Sequence, residues 1–556
     1  MANSAIITLI GSAVGVQITW LGLSLATVLG TLASWVIYHA FLSPLCHVPG
    51  PFFCRILPAA LHPQLYMGRH YVWVTEMHRR YGPLVRIGHQ AVSVIDRASI
   101  REIYHGYSHI KARIWYRGLE QYTPGMFTTP HAVVHKQLKR QLEPTFSRKA
   151  VREMESLVLE HGAAGLAFTI AGRCAAEAAV AGPKHGETGT VVDLFSLLNY
   201  AALDTITQLA LGRNACLLRG SDHPIVGWFH SFGMMATLMC AFPFLKDYKF
   251  GFRQMRQDAQ NLYDHAVECI TEKRATLHQI AADRAAGRPI DDQRQAAEKD
   301  ILANLLGAED PQTNAKLTEV QIAVETITTM FAGTETISAG LTLTFLHLFR
   351  HPNLYRKVQD EIVRSFPVPD LFGDEDGCPT TPRPLGLNLT LLQMMGITYA
   401  NIKERVPLVE AIINETLRIT PSATTVLMRE VPEGGRVLGG HYMPAGTNVG
   451  MSVMAYHHGA EWEDPHLFQP ERFLGPEGEK NLVKLMSFSL GPRQCIGRNL
   501  AYVEMSLILV VLLRFFHFEA ASSAEMHQDW LEFVTLRPST LKFHCRTWLR
   551  PEFCAA

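Results

Sequence analysis

The chain has 556 residues, and its 51 Lys and Arg balance its 51 Asp and Glu, so the formal net charge at pH 7 is zero. This balance offers no bulk positive field for nucleic acid and no acidic excess of the kind that favours disorder. Ten Cys residues are ordinary usage for this length and exclude the dense disulfide framework of small secreted domains.

The N-terminal head of the chain carries no charge. Residues 1–54 contain no Asp, Glu, Lys or Arg, and Arg55 is the first charged side chain. A membrane-spanning helix needs roughly 20 apolar residues, and the stretch from Trp20 to Leu42 supplies them. A cleavable signal peptide would show a basic start and a shorter apolar core, and so long an uncharged run argues against a buried core helix. We therefore predict a membrane anchor over residues 1–43, with Ala5 to Thr19 left open as part of a second crossing.

Basic residues follow this span and none precedes it, which by the positive-inside rule places the rest of the chain in the cytoplasm. Proline at positions 44, 49 and 51 restricts the backbone. Residues 44–54 are therefore predicted to form a stiff hinge. Residues 55–556 are predicted to form one large, mainly α-helical domain with small β-sheets.

Helices dominate the predicted elements of this domain. After a short hairpin over 81–95, the longest periodic segment runs from Leu317 to Arg350 and opens with a capping-box pattern at 318–321. Pro352 forbids further helix. Residues 500–516 are nearly all apolar but short for a membrane span, which predicts a buried core helix.

The sharpest local pattern is the segment from Phe488 to Gly497, which places Cys495 between glycines at the start of that apolar helix. The N–H groups at a helix N-terminus stabilise a negative sulfur, and glycine leaves room for a flat cofactor to approach. Arg493 can reach an anionic group on such a cofactor. A buried, inert cysteine in a turn explains the segment equally well when it is taken alone.

Four motifs in a fixed order resolve this choice. Residues 488–497 match every fixed position of Phe-x-x-Gly-x-Arg-x-Cys-x-Gly, and the segment resembles the haem-binding signature of the cytochromes P450. The sequence Ala-Gly-Thr-Glu-Thr at 332–336, Glu-x-x-Arg at 415–418 and Pro-Glu-Arg-Phe at 470–473 resemble three further motifs of this family. The resemblance covers essentially the whole chain. It implies the cytochrome P450 fold, a helical haem-thiolate domain with small β-sheets, behind an N-terminal transmembrane helix.

The resemblance implies that haem b binds with Cys495 as the axial ligand of its iron, and such a thiolate favours cleavage of the O–O bond. The other fixed residues of the signature are then expected to bind the cofactor: Phe488, Gly491, Arg493 and Gly497.

The oxygen-binding helix of the family is expected over the Ala-Gly-Thr-Glu-Thr motif. Gly333 costs about 1 kcal/mol of helix propensity relative to Ala, which suits a helix that bends and opens a groove beside the haem. In the family, Thr336 would hydrogen-bond O2 and Glu335 would relay protons from solvent. A solvated or capped pair on a helix face is the alternative for these two residues.

Three charged residues are expected to hold the cysteine loop in place rather than to act in catalysis. Glu415 and Arg418 lie at i and i+3 on one helix face, a common ion-pair spacing that signifies little alone. With Arg472 they resemble the buried network of the family.

Contacts to the haem propionates are implied at His135, Lys139 and Arg429. The family usually has Arg at the second of these positions, and Lys lacks the bidentate fork of Arg. Arg140, next to Lys139, is able to compensate, so this contact is open between the two residues.

Five regions that contact substrate in the family fall on residues 110–129, 228–244, 328–331, 422–427 and 534–536. Their aromatic and Met content suits a lipophilic, adaptable pocket, while ordinary core packing explains roughly half of these residues. Thr424 and Thr425 offer hydroxyls but no charge for an anionic substrate. The chain resembles fungal microsomal members, which implies a secondary-metabolite pathway and the endoplasmic reticulum membrane. Residues 367–398 form a longer stretch than the family usually has there and are expected to be a surface insertion.

The chain has room for one oxygenase domain and carries no flavin or nicotinamide fingerprint. The resemblance implies electrons from NADPH through a separate NADPH–cytochrome P450 reductase. The expected function is a monooxygenase that inserts one oxygen atom from O2 into a lipophilic small molecule. Two alternatives stay open: a haem-thiolate isomerase or dehydratase that acts on a peroxide without a reductase, and a non-catalytic haem-binding membrane protein. Retention of Glu335 and Thr336 favours the monooxygenase.

Overall fold

The computed structural model describes residues 20–58, 63–120, 122–181, 189–242, 245, 251–369 and 389–550. The possible second crossing at Ala5 to Thr19 and residues 370–388 of the expected surface insertion lie outside the described residues. The architecture is mainly α-helical with small β-sheets, as the sequence predicts.

The helices are numbered here in chain order. The N-terminal half of the chain contains α1 Trp20–Ile37, α2 Phe52–Ile56, α3 Pro63–Tyr66, α4 His70–Tyr81, α5 Arg97–Tyr104, α6 Arg113–Tyr116, α7 Ala132–Leu142, α8 Arg148–Leu157, α9 Gly165–Ala181, α10 Leu194–Leu211, α11 Ile225–Ala241 and α12 Arg253–Ala285. The C-terminal half contains α13 Asp292–Ala297, α14 Ile301–Gly307, α15 Glu319–Arg350, α16 Pro352–Ser365, α17 Leu389–Met394, α18 Tyr399–Arg405, α19 Pro407–Ile419, α20 Val453–His457, α21 Gly475–Leu482, α22 Arg498–Phe515 and α23 Ser523–His527.

The strands are short and scattered along the chain. They are β1 Leu84–Gly88, β2 Ala91–Val94, β3 Ile110–Lys111, β4 Thr190–Asp193, β5 Arg429–Glu430, β6 Arg436–Leu438, β7 His441–Met443, β8 Asn448–Met451, β9 Phe516–Ala520, β10 Trp530–Phe533, β11 Thr535–Pro538 and β12 His544–Leu549.

The centre of the domain is built by α10, α15 and α22. Residues Leu507 to Leu513 of α22 are all fully buried, as predicted for a core helix. The capping box of α15 is formed, because Thr318 Oγ1 accepts the Gln321 N–H at 3.2 Å and Gln321 Oε1 accepts the Thr318 N–H at 2.9 Å. The helix ends at Arg350, before the predicted proline stop.

A five-stranded sheet joins distant parts of the chain in the order β1-β2-β8-β5-β3. Strands β2 and β8 are parallel and the other neighbours are antiparallel. The register pairs Lys111 of β3 with Arg429 of β5, so two basic residues lie side by side. A three-stranded sheet, β4-β12-β9, and the hairpins β6-β7 and β10-β11 complete the strand set of the described residues.

Two helical stretches of the described chain are long and apolar enough to cross a membrane, Gly22–Leu42 and Arg148–Val180. The second is a core element, because Met154, Ala163 and Ile170 within it are fully buried. The first has mostly exposed apolar side chains, including Leu25 at 59%. The N-terminal stretch is therefore the candidate anchor, in agreement with its uncharged sequence.

The proline-containing segment 44–54, predicted as a hinge, is packed against the domain. Leu45 and Val48 belong to a hydrophobic cluster with residues of β1, β2 and β8, and Cys54 is buried as well. A π-helical turn, Tyr38–Leu42, joins α1 to this segment.

Candidate active site

The cysteine segment folds into a tight loop that ends at the N-terminus of α22. The Cys495 N–H donates to the Phe488 carbonyl oxygen at 2.9 Å, and the Gln494 N–H donates to that of Gly491 at 3.1 Å. Gly491 has φ +73°, and a Cβ there would lie 2.0 Å from the Tyr104 carbonyl oxygen. Only glycine fits this close approach of two backbones.

Cys495 is exposed to solvent, although its thiol lies well inside the protein. Its side chain is exposed, yet its thiol lies deep enough that burial raises its pKa. This combination is that of a side chain lining an internal cleft. The backbone N–H groups of Gly497 and Arg498, at the start of α22, and the Arg498 guanidinium act in the opposite direction and lower the thiol pKa.

The face of the loop beside Cys495 is open. A Cβ added at Gly497 would meet only the Cys495 Sγ, at 4.0 Å. The Phe488 ring packs on Tyr502, with ring centroids 5.3 Å apart, and Arg498 lies over the Phe488 ring. The aromatic pair thus packs within the loop and the start of α22, while the space beside Gly497 is open.

Four basic side chains gather near this loop: Lys111, His135, Arg429 and Arg493. The first three are buried and Arg493 is half-buried. They come from β3, α7, β5 and the cysteine loop, so the long-range strand register and helix packing bring them together. In the described part of the chain, none of the four forms an ion pair with a carboxylate; they contact carbonyl and tyrosine oxygens instead.

The hydrogen bonds donated by Arg493, Lys111 and Arg429 go to neutral oxygen acceptors. Arg493 donates to the Thr129 carbonyl oxygen at 2.9 Å and to that of Pro130 at 3.2 Å, while its buried Nε has no partner among the described residues. Lys111 Nζ donates to the Phe127 carbonyl oxygen, and Arg429 donates to the Tyr116 hydroxyl at 3.2 Å.

Mutual repulsion adds to burial in lowering the pKa values of Lys111, His135 and Arg493. Burial is the largest cause in each case, followed by the neighbouring cations. The pKa of Lys111 falls well below its usual value, that of Arg493 falls to about 10, and that of His135 falls to about 3. A set of basic groups whose charged forms are disfavoured, with an unpartnered donor among them, fits a ligand that carries acidic groups.

Arg140 of α7 does not take the role that the sequence leaves open for it, a haem-propionate contact in place of Lys139. Arg140 forms a bidentate pair with the fully buried Asp310 carboxylate, at 2.7 and 2.8 Å, so it does not compensate for Lys139. Lys139 Nζ lies 3.6 Å from Glu143 Oε1, although Lys139 also lowers the pKa of His135. The buried cation that the sequence analysis missed is Lys111.

The Ala-Gly-Thr-Glu-Thr motif lies in the middle of α15, which runs through Gly333 as one α-helix. A Cβ at this glycine would meet the Ile206 side chain of α10 at 3.2 Å. Close packing of α10 and α15 therefore gives a reason for this glycine in place of the expected bend.

Thr336 and Glu335 of this motif point to different surroundings. The Thr336 hydroxyl donates to the Ala332 carbonyl oxygen at 2.7 Å. Glu335 is half-buried, and burial raises the pKa of its carboxyl, whereas Arg537 and the Thr535 side chain of β11 lower it. The structure thus links Glu335 to the hairpin β10-β11, a contact that the sequence pattern does not reveal.

The Glu-x-x-Arg residues and Arg472 meet in one buried cluster. Arg418 donates to both Glu415 oxygens, at 2.7 and 2.8 Å, and Arg472 Nε donates to Glu415 Oε1 at 3.1 Å. Arg418 also donates to the His457 carbonyl oxygen at 3.1 Å, and His457 Nε2 accepts the Met486 N–H at 3.0 Å. A continuous chain of contacts therefore reaches from the ion pair to a residue just before Phe488.

The regions expected to contact substrate contain the predicted aromatic and Met side chains. Phe232 packs on Phe331 with ring centroids 5.5 Å apart, and Met235 and Met239 form a buried cluster with Ala259. The predicted contact position Phe244 lies outside the described residues.

Two buried carboxyls border these regions, and sequence reasoning missed both. Glu532 of β10 accepts the hydroxyls of Thr424 and Thr425, each at 2.8 Å, and burial raises its pKa. Glu325 of α15 accepts the Met126 N–H at 2.6 Å, and burial raises its pKa to about 7. The two threonine hydroxyls are thus engaged with an acid, which supplies no positive charge for an anionic substrate.

Comparison with known proteins agrees with this geometry. The model of the cytochrome P450 family matches residues 49–544. Cytochrome P450 monooxygenase helB1 of Aspergillus fumigatus is 26% identical over 500 residues, covering 88% of this chain and 77% of that protein. The monooxygenase acrD of Aspergillus aculeatus is 25% identical with 92% coverage of both, and traB of Penicillium crustosum is 28% identical with 93% and 92% coverage.

The crystal structure of the cytochrome P450DA heme domain superposes with a TM-score of 0.68 at 21% identity, covering 91% of this chain and 98% of that one. At this identity the likeness shows the fold, which is the helical fold with small sheets described above. The family match extends over most of the chain. The chain therefore belongs to the cytochrome P450 family and is an enzyme of the cytochrome P450 monooxygenase class.

Proposed function

We propose that this enzyme inserts one oxygen atom from O2 into a lipophilic small molecule in a fungal secondary-metabolite pathway. The observation that carries the proposal is the exposed Cys495 side chain near a cluster of basic side chains without carboxylate partners in the described part of the chain. The similarity to fungal monooxygenases over nearly the full length supports it.

The residues present fit the haem that the family implies. Cys495 would hold the iron through its thiolate, and Arg493, Arg429, His135 and the newly found Lys111 would bind the acidic groups. When bound, a thiolate-ligated haem supplies the activation of O2 that this class of reaction needs. Lys139 stays a weaker candidate for the acidic groups because it lies near Glu143.

Glu335 and Thr336 are proposed to serve proton delivery. Burial raises the Glu335 pKa, which favours a carboxyl that holds a proton, and the Arg537 guanidinium opposes this by favouring the carboxylate. The Thr336 hydroxyl donates to the Ala332 carbonyl oxygen, one turn earlier in the same helix. The two groups thus offer a proton-holding carboxyl and a hydroxyl on one helix.

Glu415, Arg418 and Arg472 are proposed to position the cysteine loop. Their cluster is linked through His457 to the Met486 N–H, and Ser487 Oγ donates to the Leu417 carbonyl oxygen at 2.7 Å. Both contacts fix the backbone directly before Phe488. The cluster is therefore assigned to support of the loop rather than to chemistry.

Residues 1–43 are proposed as a single-pass anchor in the endoplasmic reticulum membrane, with residues 44–54 as the connection and residues 55–556 as the catalytic domain on the cytoplasmic side. The uncharged head, the exposed apolar face of α1 and the basic residues that follow support this arrangement. Electrons are proposed to come from NADPH through a separate NADPH–cytochrome P450 reductase in the same membrane.

A labelling experiment tests the proposed reaction. Membranes containing the enzyme and a reductase, supplied with NADPH and extracts of candidate fungal metabolites, are incubated under 18O2 and the products analysed by mass spectrometry. The proposal predicts a product that carries one 18O atom and forms only with NADPH and reductase. Conversion of a peroxide without reductase, or a product whose added oxygen comes from water, would contradict it. Cys495→Ser, which lacks the thiol, serves as the matched inactive variant.

A further inference from the structure

Arg86 of β1 is a fully buried arginine whose charge is matched by no carboxylate within ion-pair distance in the described ranges. Its five N–H groups instead donate to five backbone carbonyl oxygens. Nε donates to Gly88 at 3.4 Å, Nη1 to His39 at 3.3 Å and Leu45 at 3.0 Å, and Nη2 to Arg55 at 3.2 Å and His89 at 2.7 Å. Each donor thus has its own acceptor.

Three of these carbonyls come from parts of the chain that precede β1. His39 lies in the π-helical turn at the end of the candidate anchor, Leu45 in the proline-containing segment, and Arg55 in α2. The Arg86 N–H also donates to the Pro49 carbonyl oxygen at 2.7 Å. One side chain of the central sheet therefore binds the anchor end, the connection and α2 at the same time.

Other contacts close the same junction from the outside. Trp35 Nε1 of α1 donates to the Ile56 carbonyl oxygen at 3.2 Å, and Arg55 Nη1 donates to that of Ala40 at 3.3 Å. The rings of Trp35 and His39 lie 4.1 Å apart, and the His89 ring lies 5.1 Å from that of His39. The end of the anchor is thus held by its own Trp35 and His39 side chains and by the Arg55 and His89 side chains of the domain.

A buried guanidinium makes this junction cooperative. Removal of a charge from water is costly, and the cost is offset only while its hydrogen-bond partners stay in place. Burial lowers the Arg86 pKa, but only to about 10, so the side chain stays charged at neutral pH. Withdrawal of the anchor end together with the proline-containing segment would strand both Nη1 donors in the interior, which disfavours hinge motion.

The junction also places three exposed apolar side chains of α2 and its C-terminal end next to the anchor. Phe52, Phe53 and Leu57 are exposed although large and apolar, at 55%, 42% and 44%. The Phe52 ring lies 6.2 Å from that of Phe41 at the end of the candidate span. An apolar surface continuous with a membrane-spanning helix fits the acyl region of a bilayer.

We propose that Arg86 locks the anchor end and α2 into one rigid bracket, which inserts Phe52, Phe53 and Leu57 into the membrane surface and fixes the orientation of the catalytic domain. The segment 44–54 is on this view a fixed joint rather than a hinge. The inference rests on the proposed membrane anchor, and it does not depend on the reaction that the enzyme catalyses.

Amide hydrogen exchange on the full-length haem-loaded protein in nanodiscs of phosphatidylcholine and phosphatidylserine tests the joint. The amides of Ser43, Cys46, Val48, Cys54 and Leu57 are hydrogen-bonded in the junction. In the wild-type protein they are expected to exchange at least about 100-fold more slowly than in a free peptide. Exchange at the rate of a free peptide would overturn the proposal without recourse to any variant.

Variants test the role of Arg86 itself. Arg86→Met is expected to speed this exchange by about tenfold or more, whereas Arg113→Met, which removes an exposed arginine paired with Glu430, leaves it unchanged. Trp35→Phe removes only the Ile56 contact and is expected to give a smaller increase; it remains informative if Arg86→Met fails to fold. Equal exchange in all three variants and the wild type would refute the assignment.

Trypsin gives an independent readout of the same joint, because no Lys or Arg precedes Arg55 and cleavage there releases the whole head as one fragment. The rate of cleavage after Arg55 is compared with that after the exposed Arg284 in the same molecule. The proposal predicts that Arg86→Met raises this ratio and Arg113→Met does not. An unchanged ratio in Arg86→Met would count against the lock.

Photocrosslinking tests the lipid contact. p-Benzoylphenylalanine in place of Phe53 is expected to form lipid adducts in the nanodiscs, whereas the same probe in place of Val483, an apolar side chain that is 61% exposed, forms none. Equal adducts at both positions, or none at position 53, would contradict insertion of the bracket. Release of the whole chain by alkaline carbonate would instead refute the anchor itself.

Discussion

Lys111 of β3 and Arg429 of β5 are direct cross-strand partners, so two buried cations lie side by side next to the cysteine loop. Like charges in a buried site destabilise each other unless an anion joins them. In the apoprotein, the side-by-side placement of Lys111 and Arg429 is therefore electrostatically unfavourable. The acidic groups of the bound cofactor would relieve this repulsion.

Lys111→Met is predicted to act in opposite directions on the two forms of the protein. The apoprotein should gain stability, by about 1 kcal/mol or more, because a buried uncompensated charge is removed. The loaded protein should lose haem faster in competition with an excess of apomyoglobin, because an acidic group of the cofactor loses its partner. Thermal unfolding of the apoprotein and the rate of haem transfer measure the two effects.

Lys139→Met is the matched control, since this lysine lies near Glu143 on the same helix. It should change the rate of haem transfer far less than Lys111→Met. The reverse order of the two variants would restore Lys139 as the principal contact and remove Lys111 from the site.

Glu415→Gln is predicted to destabilise the protein by roughly 3–5 kcal/mol, because it leaves the buried Arg418 charge uncompensated. The amides of Met486 and Ser489 should lose protection from hydrogen exchange, since the contacts through His457 and Leu417 depend on the cluster. Glu471→Gln removes an exposed partner of Lys357 and should change neither property. Protection of these two amides that survives in Glu415→Gln would contradict the positioning role.

Glu504 of α22 is buried, its Oε1 has no hydrogen-bond partner among the described residues, and burial raises its pKa to about 8. The folded state therefore favours the protonated form. Its contribution to stability is complete below the pKa of the unfolded chain, near 4.5, and is lost as the pH rises through the folded value.

The predicted loss has a slope of at most about 1.4 kcal/mol per pH unit between these limits. Glu504→Gln should abolish this part of the decline, so the variant gains thermal stability over the wild type as the pH rises from about 5 to 8. Glu479→Gln, at an exposed position, should run parallel to the wild type. A constant difference between Glu504→Gln and the wild type over this range would show that Glu504 does not titrate as described.

Thr336→Val is predicted to leave thermal stability within about 0.5 kcal/mol, because it removes only an intrahelical hydrogen bond of a half-buried side chain. With the reductase present, NADPH should still be consumed, but a larger share of the electrons should appear as hydrogen peroxide instead of product. Thr336→Ser, which keeps the hydroxyl, should restore the product yield. Equal yields in both variants would exclude a role for the hydroxyl.

The parts of the site that could be predicted from the sequence are those encoded locally. The loop around Cys495 depends on neighbouring glycines and a helix start, and Glu415 and Arg418 are one helical turn apart. The Thr318 capping box is likewise formed by residues three apart. Fixed short spacings translate directly into geometry, so these features needed no knowledge of tertiary contacts.

The residues that were missed depend on long-range packing. Lys111 reaches the site through a two-residue strand whose partner, Arg429, is more than 300 positions away. Glu532 meets Thr424 only because a C-terminal hairpin folds back on the loop after α19. Arg140 was misjudged for the same reason, since its partner Asp310 lies in a distant segment. No local pattern distinguishes such side chains from ordinary surface charges.

The most direct test of the central claim is the CO difference spectrum of the reduced protein in membranes. If Cys495 holds the haem iron as a thiolate, the wild-type protein should show the strongly red-shifted Soret band of a thiolate-ligated haem, and Cys495→Ser should lose that band. An unshifted band in the wild-type protein, or a red-shifted band that persists in Cys495→Ser, would contradict the account.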